Sequence, residues 1–247
     1  MPLKNMLAGC FFLMIVANSY GQKEIELKAV SFNKPWLTTS SYAMDWFALR
    51  DGQKVKVGTV LTEVKVTDKT ITVITDVKMA GRAMQWKDST IAEAGSFKPI
   101  YHSSYNPSRD MVLNFGNIVT GFYHDKQTNT KTNISDTLST HYFDSNIYPL
   151  LIRLLPLKAG YTATMPIYDY NLKGQKGIVK AYIEKVESGV LQDLNGGNVE
   201  VWIVTVSDEL NPESKSASTY FIGKKDRKLL KQEMNANGRK MEMVLVQ

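Results

Sequence analysis

From residue 41 to residue 79 the chain is written in a two-residue rhythm: SYAMDWFALR, KVKVGTVLTEVKV and TITVITDVKM, separated by DGQ and TDK. Apolar and polar side chains that alternate along short runs suit strands with one buried face, and Asp51-Gly52 between two such runs is a hairpin signal. In the second run Val55 and Val57 share one phase while Val60, Val64 and Val66 share the other. A bulge near Gly58-Thr59 is therefore expected, because it would turn both sets toward the same side.

The rhythm continues through AMQWKDSTIAE, FKPIYHSSY, DMVLNF and IVTGFYHD, and after residue 160 through GYTATMPIYDY, GIVKAYIEKVES, NVEVWIVTVSD, STYFIGK, LLKQEM and KMEMVLV. Gly81, Gly95, Asn106-Pro107, Gly116-Asn117, Asn195-Gly196-Gly197 and Asn237-Gly238 punctuate the runs. The polar, Thr/Asn-rich stretch 126–137 reads as a long hairpin tip or a loop. No repeat of fixed period and no Pro/Gly/Ser-rich linker interrupts the pattern. One continuous β-rich domain over 22–247 is expected, and an apolar share of 43% is ample for its core. So many strands must close or cover their edges. The expected fold is mainly β: a large curved antiparallel sheet or half-open β-barrel with one short apolar helix packed in its concave face. A two-sheet sandwich is the alternative.

The helix is expected at NIYPLLIRLLP, residues 146–156. Asn146 can cap it, Pro149 falls where its missing N–H costs no internal bond, and Pro156 ends it at Leu155. Ile147, Leu150, Leu151 and Leu154 form one stripe at i, i+3, i+4 and i+7. Such a segment spans roughly 13 Å, less than half of a hydrocarbon core, so it does not cross a bilayer. Burying five or six of its side chains is worth around 10 kcal/mol before entropy is subtracted, which only the inside of a curved sheet can supply. Two roles fit: a plug completing the core, or a lid over a cavity.

The first 21 residues carry a short basic start and the apolar run LAGCFFLMIVA, the pattern of a cleaved signal peptide. Ser19 and Gly21 place the cut before Gln22; a cut after Ser19 is the second choice. Leu7-Ala8-Gly9-Cys10 spells a lipoprotein box, but too little apolar sequence precedes it, and anchoring at Cys10 is not expected. A periplasmic or secreted address follows. Cys10 is the chain's only cysteine, so the mature protein carries no disulfide and no thiolate chemistry. No other apolar run approaches the roughly 20 residues of a transmembrane helix, so none is expected in the mature chain. Basic residues outnumber acidic ones by 30 to 24. The charges alternate along strands rather than cluster, which speaks for solvated faces and against a nucleic-acid partner.

Chemical signatures are sparse. His102, His124 and His141 lie on separate segments without metal-ligand spacing, and neither a GxSxG elbow nor a phosphate-cradling Gly loop is present, so neither metal nor cofactor is expected. Asp45, Asp76, Asp144 and Asp169 could pair as acid and base, but nothing in the sequence brings two of them together. The basic KKDRK, 224–228, reads as a hairpin turn, with phosphate or anionic-lipid contact as a lesser reading.

THYFDSNIYPLLIRLLPLKAGYTATMPIYDYN and the later STYFIGKKDRKLLKQEM resemble exported bacterial proteins of the domain-of-unknown-function 3108 family. Tyr148-Pro149-Leu150-Leu151, Arg153 to Leu157, Gly160-Tyr161 and Pro166 to Tyr170 carry the likeness. The resemblance implies a half-open β-barrel with a covering helix, comparable to periplasmic lipoprotein carriers, and brings no catalytic residue.

On this reading the chain is a periplasmic, non-enzymatic binding or carrier-like protein for an apolar ligand. Its partners would be a lipid, a lipidated protein or another envelope component, with peripheral envelope association. Candidate cavity-lining residues are Ile147, Leu150, Leu151, Leu154, Tyr161, Met165, Tyr168, Trp86 and Trp202, with Arg153 as the head-group contact. A structural envelope protein with a filled core is the first alternative. A hydrolase of envelope polymers, which needs acidic or Ser/His groups converging in a cleft, is the second.

Overall fold

The computed structural model describes residues 32–81, 86–138, 140–172, 174–193, 196–210, 217–236 and 238–246. The expected signal peptide lies outside them. The first eight strands follow one another as β1 (Ser40–Arg50), β2 (Gln53–Val66), β3 (Thr70–Met79), β4 (Trp86–Glu93), β5 (Pro99–Tyr105), β6 (Arg109–Asn114), β7 (Ile118–Asp125) and β8 (Thr130–Thr137). Then come the two-residue strand β9 (Phe143–Asp144) and the helix α1 (Tyr148–Leu154). The chain finishes with β10 (Ala163–Tyr170), β11 (Lys176–Gln192), β12 (Asn198–Asp208), β13 (Ala217–Gly223), β14 (Leu229–Ala236) and β15 (Arg239–Val246).

All fifteen strands form one open, curved sheet in the order β8-β7-β6-β5-β4-β3-β2-β1-β15-β14-β13-β12-β11-β10-β9. Every neighbouring pair is antiparallel except β9 with β10. This is the curved-sheet architecture expected from the strand pattern, and not a sandwich. The sheet does not close through its backbone. Its two ends meet instead through side chains: Tyr168 Oη on β10 donates to Asp136 Oδ2 on β8 at 2.5 Å, and His102 on β5 meets Asp144 on β9.

Local sequence explains the strand joints. Asp51 and Gly52 both take positive φ, 49° and 75°, the type I′ geometry that matches strand twist. Trp46 faces Gly58 while Phe47 faces Lys56, so Val57 is the bulged residue, one position before the expected site. The bulge brings Val55 into phase with Val60 and Val64. Val55 nevertheless stays 46% exposed, because it lies toward the hairpin end, beyond the helix-covered part of the face.

Stretch 126–137 departs from expectation. Only Lys126–Asn129 turns; Thr130–Thr137 is a strand paired along β7. Alternation decides it: Ile134 is buried while its neighbours Asn133 and Ser135 are exposed, and threonines suit an edge strand whose outer side meets water.

Two turns repeat each other in a way no sequence period reveals. In the β4–β5 turn Glu93 N donates to Lys98 O and Phe97 N to Glu93 O, with Phe97 at φ 59°. In the β13–β14 turn Gly223 N donates to Lys228 O and Arg227 N to Gly223 O, with Arg227 at φ 57°. Each outgoing strand is bulged just after the turn, at Ile100 opposite Ile91/Ala92 and at Leu230 opposite Phe221/Ile222. Ser96 and Asp226 cap their turns alike, on the N–H groups of Lys98 and Lys228.

The larger core packs α1 against strands from both ends of the chain. Ile147 and Leu151 are 0% exposed and Leu154 1%, among Val64, Ile71, Val73, Met165, Ile183, Val204 and Ile222. A 3-10 turn over Lys34–Trp36 seals the far end, where Asn33 N donates to Leu154 O at 2.9 Å. A second cluster joins β6–β8 to β10 through Met111, Leu113, Tyr123, Ile134, Tyr168 and Tyr170. No helix among the described residues is long and apolar enough to cross a membrane.

Candidate functional site

The segment entering α1 places three polar side chains in succession. Asp144 and Ser145 are held by the parallel β9–β10 pairing and by Ser145 N donating to Tyr168 O. Asp144 Oδ1 then meets His102 Nδ1 at 2.8 Å, and Asp144 Oδ2 accepts from Thr90 Oγ1 at 2.5 Å. Asn146 Nδ2 donates to Thr90 Oγ1 at 3.0 Å, and Ser145 Oγ donates to Asp169 Oδ1 at 2.8 Å. Thr90 and His102 are direct cross-strand partners on β4 and β5, so both present their side chains to the same helix entry.

The expected Asn146 cap does not form. The helix starts at Tyr148 with Pro149 in its first turn, and Asn146 is engaged by Thr90 instead. Tyr148, another polar residue of the segment, is buried too and donates from Oη to Asp208 Oδ2 at 3.1 Å.

The network is internal: Asp144 is 0% exposed and His102 4%. Burial pulls the His102 imidazole down, but Asp144, by charge and hydrogen bond, with Asp88 and Asp169 beyond it, outweighs that and holds the pKa above its ordinary value. Burial raises the Asp169 carboxyl, against the Ser145 hydrogen bond and the charges of Arg109 and His102. The convergence of acidic groups with a histidine that a hydrolase needs thus occurs, but neither Asp144 nor His102 borders a pocket described below. The arrangement ties β4 and β5 to the root of α1. Among the described residues no three His, Cys, Asp or Glu side chains group as metal ligands.

Beside this network a pocket of about 190 Å³ opens at the N-terminal end of α1. Met44, Val60, Val64, Val73, Leu150 and Met243 supply apolar wall, and Tyr42, Thr62, Thr75, Asn146 and Gln232 supply polar groups. Asn146 is common to the pocket wall and the buried network. A second pocket of about 130 Å³ shares Tyr42 and Leu229 with the first and is bordered by Arg153, Asp226 and Lys228. Arg153 Nε donates to Arg227 O at 2.7 Å, and its guanidinium lies 5.7 Å from the Tyr42 ring centre. Arg227 itself is 8% exposed, with Nε and Nη1 buried and without a hydrogen-bond partner. Burial lowers its pKa.

The chain matches the family described as Protein of unknown function (DUF3108) over residues 41–244. It belongs to the DUF3108 family. No curated protein and no solved structure matches it. The DUF3108 match runs from β1 to β15 and takes in the larger pocket and the buried network, while Trp36, Thr38, Ser40 and Leu245 of the smaller pocket lie outside it.

The predicted lining residues of this DUF3108 chain are distributed as follows. Leu150 borders the larger pocket and Arg153 the smaller. Ile147, Leu151, Leu154 and Met165 are buried in the larger core, with Tyr161 and Trp202 packed against it. Tyr168 is buried in the second cluster. Trp86 lies elsewhere on β4, its Nε1 donating to Asp88 Oδ2 at 2.9 Å and its ring edge-on to Trp46. Sequence reasoning missed Tyr42, Met44, Val64, Val73, Gln232 and Met243, which meet only when β1–β3 curl beside β14 and β15. It also missed Asp144 with His102, since a two-residue parallel strand leaves no periodic signal.

Proposed function

We propose that this protein is a non-enzymatic binding or carrier-like module of the exported compartment, taking a ligand that is apolar at one end. The observation that supports this most directly is the pocket beside Leu150, walled on one side by the root of α1 and on the others by β1–β3, β14 and β15. An apolar recess with a few fixed polar groups is the general form of a small-ligand site. The larger core beneath Ile147, Leu151 and Leu154 is filled by side chains, so the helix acts as a plug along most of its length and leaves room beside Leu150 near its start and beside Arg153 near its end. A cavity near 150 Å³ accommodates benzene, so about 190 Å³ suits one ring or a short alkyl chain rather than a diacyl lipid.

Saturation-transfer NMR with octan-1-ol tests the reading. Binding should be saturable and should disappear in Leu150→Trp, which fills the recess. Absence of binding to the unmodified protein would favour the second reading, a structural envelope protein, which the filled core under the helix supports.

A further inference from the structure

Asn146 is held by one edge of its amide and open at the other. Thr90 Oγ1 gives its single proton to Asp144 Oδ2 at 2.5 Å, so toward Asn146 it can only accept. The Asn146 amide is thereby turned with Nδ2 to Thr90, at 3.0 Å, and Oδ1 away from it. Among the described residues no donor reaches Asn146 Oδ1, and the atom remains accessible. Asn146 borders the larger pocket, so its amide brings an acceptor of fixed orientation to an apolar recess.

The rest of the wall is of the same kind. Gln232 and Thr62 are each 9% exposed, both border the recess, and neither side chain makes a hydrogen bond within the described residues. Tyr42, Thr62 and Thr75 are direct cross-strand partners over β1, β2 and β3, so this polar row lies on one face of the sheet. Polar groups set this deep find partners as a rule, and the recess is where a partner can stand. No charged side chain borders it. An ionised head group brought there would lose its water with nothing of opposite charge to meet, which costs far more than placing a neutral hydroxyl that is hydrogen-bonded. The carboxylates beyond the wall, Asp88 across from Thr75 and Asp144 behind Thr90, add repulsion against an anion.

We propose that the larger pocket selects a neutral amphiphile whose head donates a hydrogen bond, an alcohol or a primary amide, with Asn146 Oδ1 as its acceptor and the short apolar arm against Met44, Val64, Val73 and Leu150. Thr90, itself 0% exposed, is a positioning residue that fixes the amide without touching the ligand. This rests on the binding reading above and adds the charge and hydrogen-bonding sense of the head group.

Titration calorimetry of the mature chain separates the two. Octan-1-ol is compared with its isomer 1-methoxyheptane, which accepts but cannot donate, and with octanoate and octylammonium at neutral pH. Octan-1-ol should bind about 10-fold more tightly than 1-methoxyheptane, the scale of one hydrogen bond to an otherwise unsatisfied acceptor, and both ions should bind more weakly than octan-1-ol. Asn146→Leu should bring octan-1-ol to the level of the ether and leave the ether unchanged. Thr90→Val should erase the same preference by releasing the amide, and Thr90→Ser, which keeps the hydroxyl, should restore it; a general loss of stability would weaken alcohol and ether alike. Equal binding of octan-1-ol and 1-methoxyheptane to the unmodified protein would overturn the acceptor while leaving the binding module standing. Octanoate or octylammonium binding as tightly as octan-1-ol would overturn the selection for a neutral head. Failure of all four compounds would overturn the binding module itself.

Discussion

Phe97 and Arg227 occupy one position in two copies of the same bulged turn, at φ 59° and 57°, one an apolar side chain in the core and the other a buried guanidinium whose Nε and Nη1 have no hydrogen-bond partner among the described residues. The backbone repeats where the chemistry does not. That contrast marks the β13–β14 turn as a place where stability gives way to another requirement.

Replacing Arg227 by the residue of the matching turn should therefore stabilise the protein. Arg227→Phe is expected to raise the unfolding free energy by about 1–3 kcal/mol, the cost of a buried unsatisfied donor. Urea denaturation followed by circular dichroism reads this as a higher midpoint at unchanged slope. A lower midpoint would mean that the guanidinium is satisfied.

Leu151 should behave in the opposite way. It is wholly buried in the middle of the plug, and Leu151→Ala should lose about 2–5 kcal/mol by the same denaturation assay. Octan-1-ol binding by the folded variant should be unchanged, because Leu151 does not border the recess.

Stability should fall as pH rises through the His102 transition. The folded pKa stands above the ordinary 6.5, so the charged imidazole's favourable contact with Asp144 is fully present below 6.5 and is lost as pH climbs through the raised folded value. Asp169, also raised, has the same sign in a window that opens at 3.8. Above pH 6.5, His102→Gln should flatten the fall in melting temperature seen in the unmodified protein. An unchanged slope would remove His102 from the account.

Gly58, next to the bulge at Val57, has no room for a side chain. A Cβ there would lie 2.6 Å from the Lys78 carbonyl oxygen on β3. Gly58→Ala should cost about 1–3 kcal/mol as the β2–β3 ladder shifts to admit it, with retained stability as the contrary result. Thermal melting is sufficient to tell.

Much of the fold could be read from the chain because half-buried strands alternate: β7 and β12 match the expected runs at both ends, and Asp51-Gly52 forms the turn its residues favour. β8 escaped because an edge strand with water on one side has almost no apolar content; only Ile134 betrays it. The helix was legible as a stripe, but its cap was not, since Thr90 competes for Asn146 across the interior and sequence spacing carries no information about that. Leu150 and Arg153 could be picked out as pocket residues from their helix. Tyr42, Gln232 and Met243 could not, because sheet curvature, not local pattern, assembles them. KKDRK reads correctly as a turn between strands, yet nothing in those letters says that Arg227 points inward; that follows from the left-handed backbone at its position.

Native mass spectrometry of the protein purified from its own host tests the central claim most directly. The account predicts a retained small molecule with a single ring or short chain, released when Leu150→Trp fills the recess. A mass equal to that of the polypeptide alone, in the unmodified protein under conditions that preserve non-covalent complexes, would contradict it.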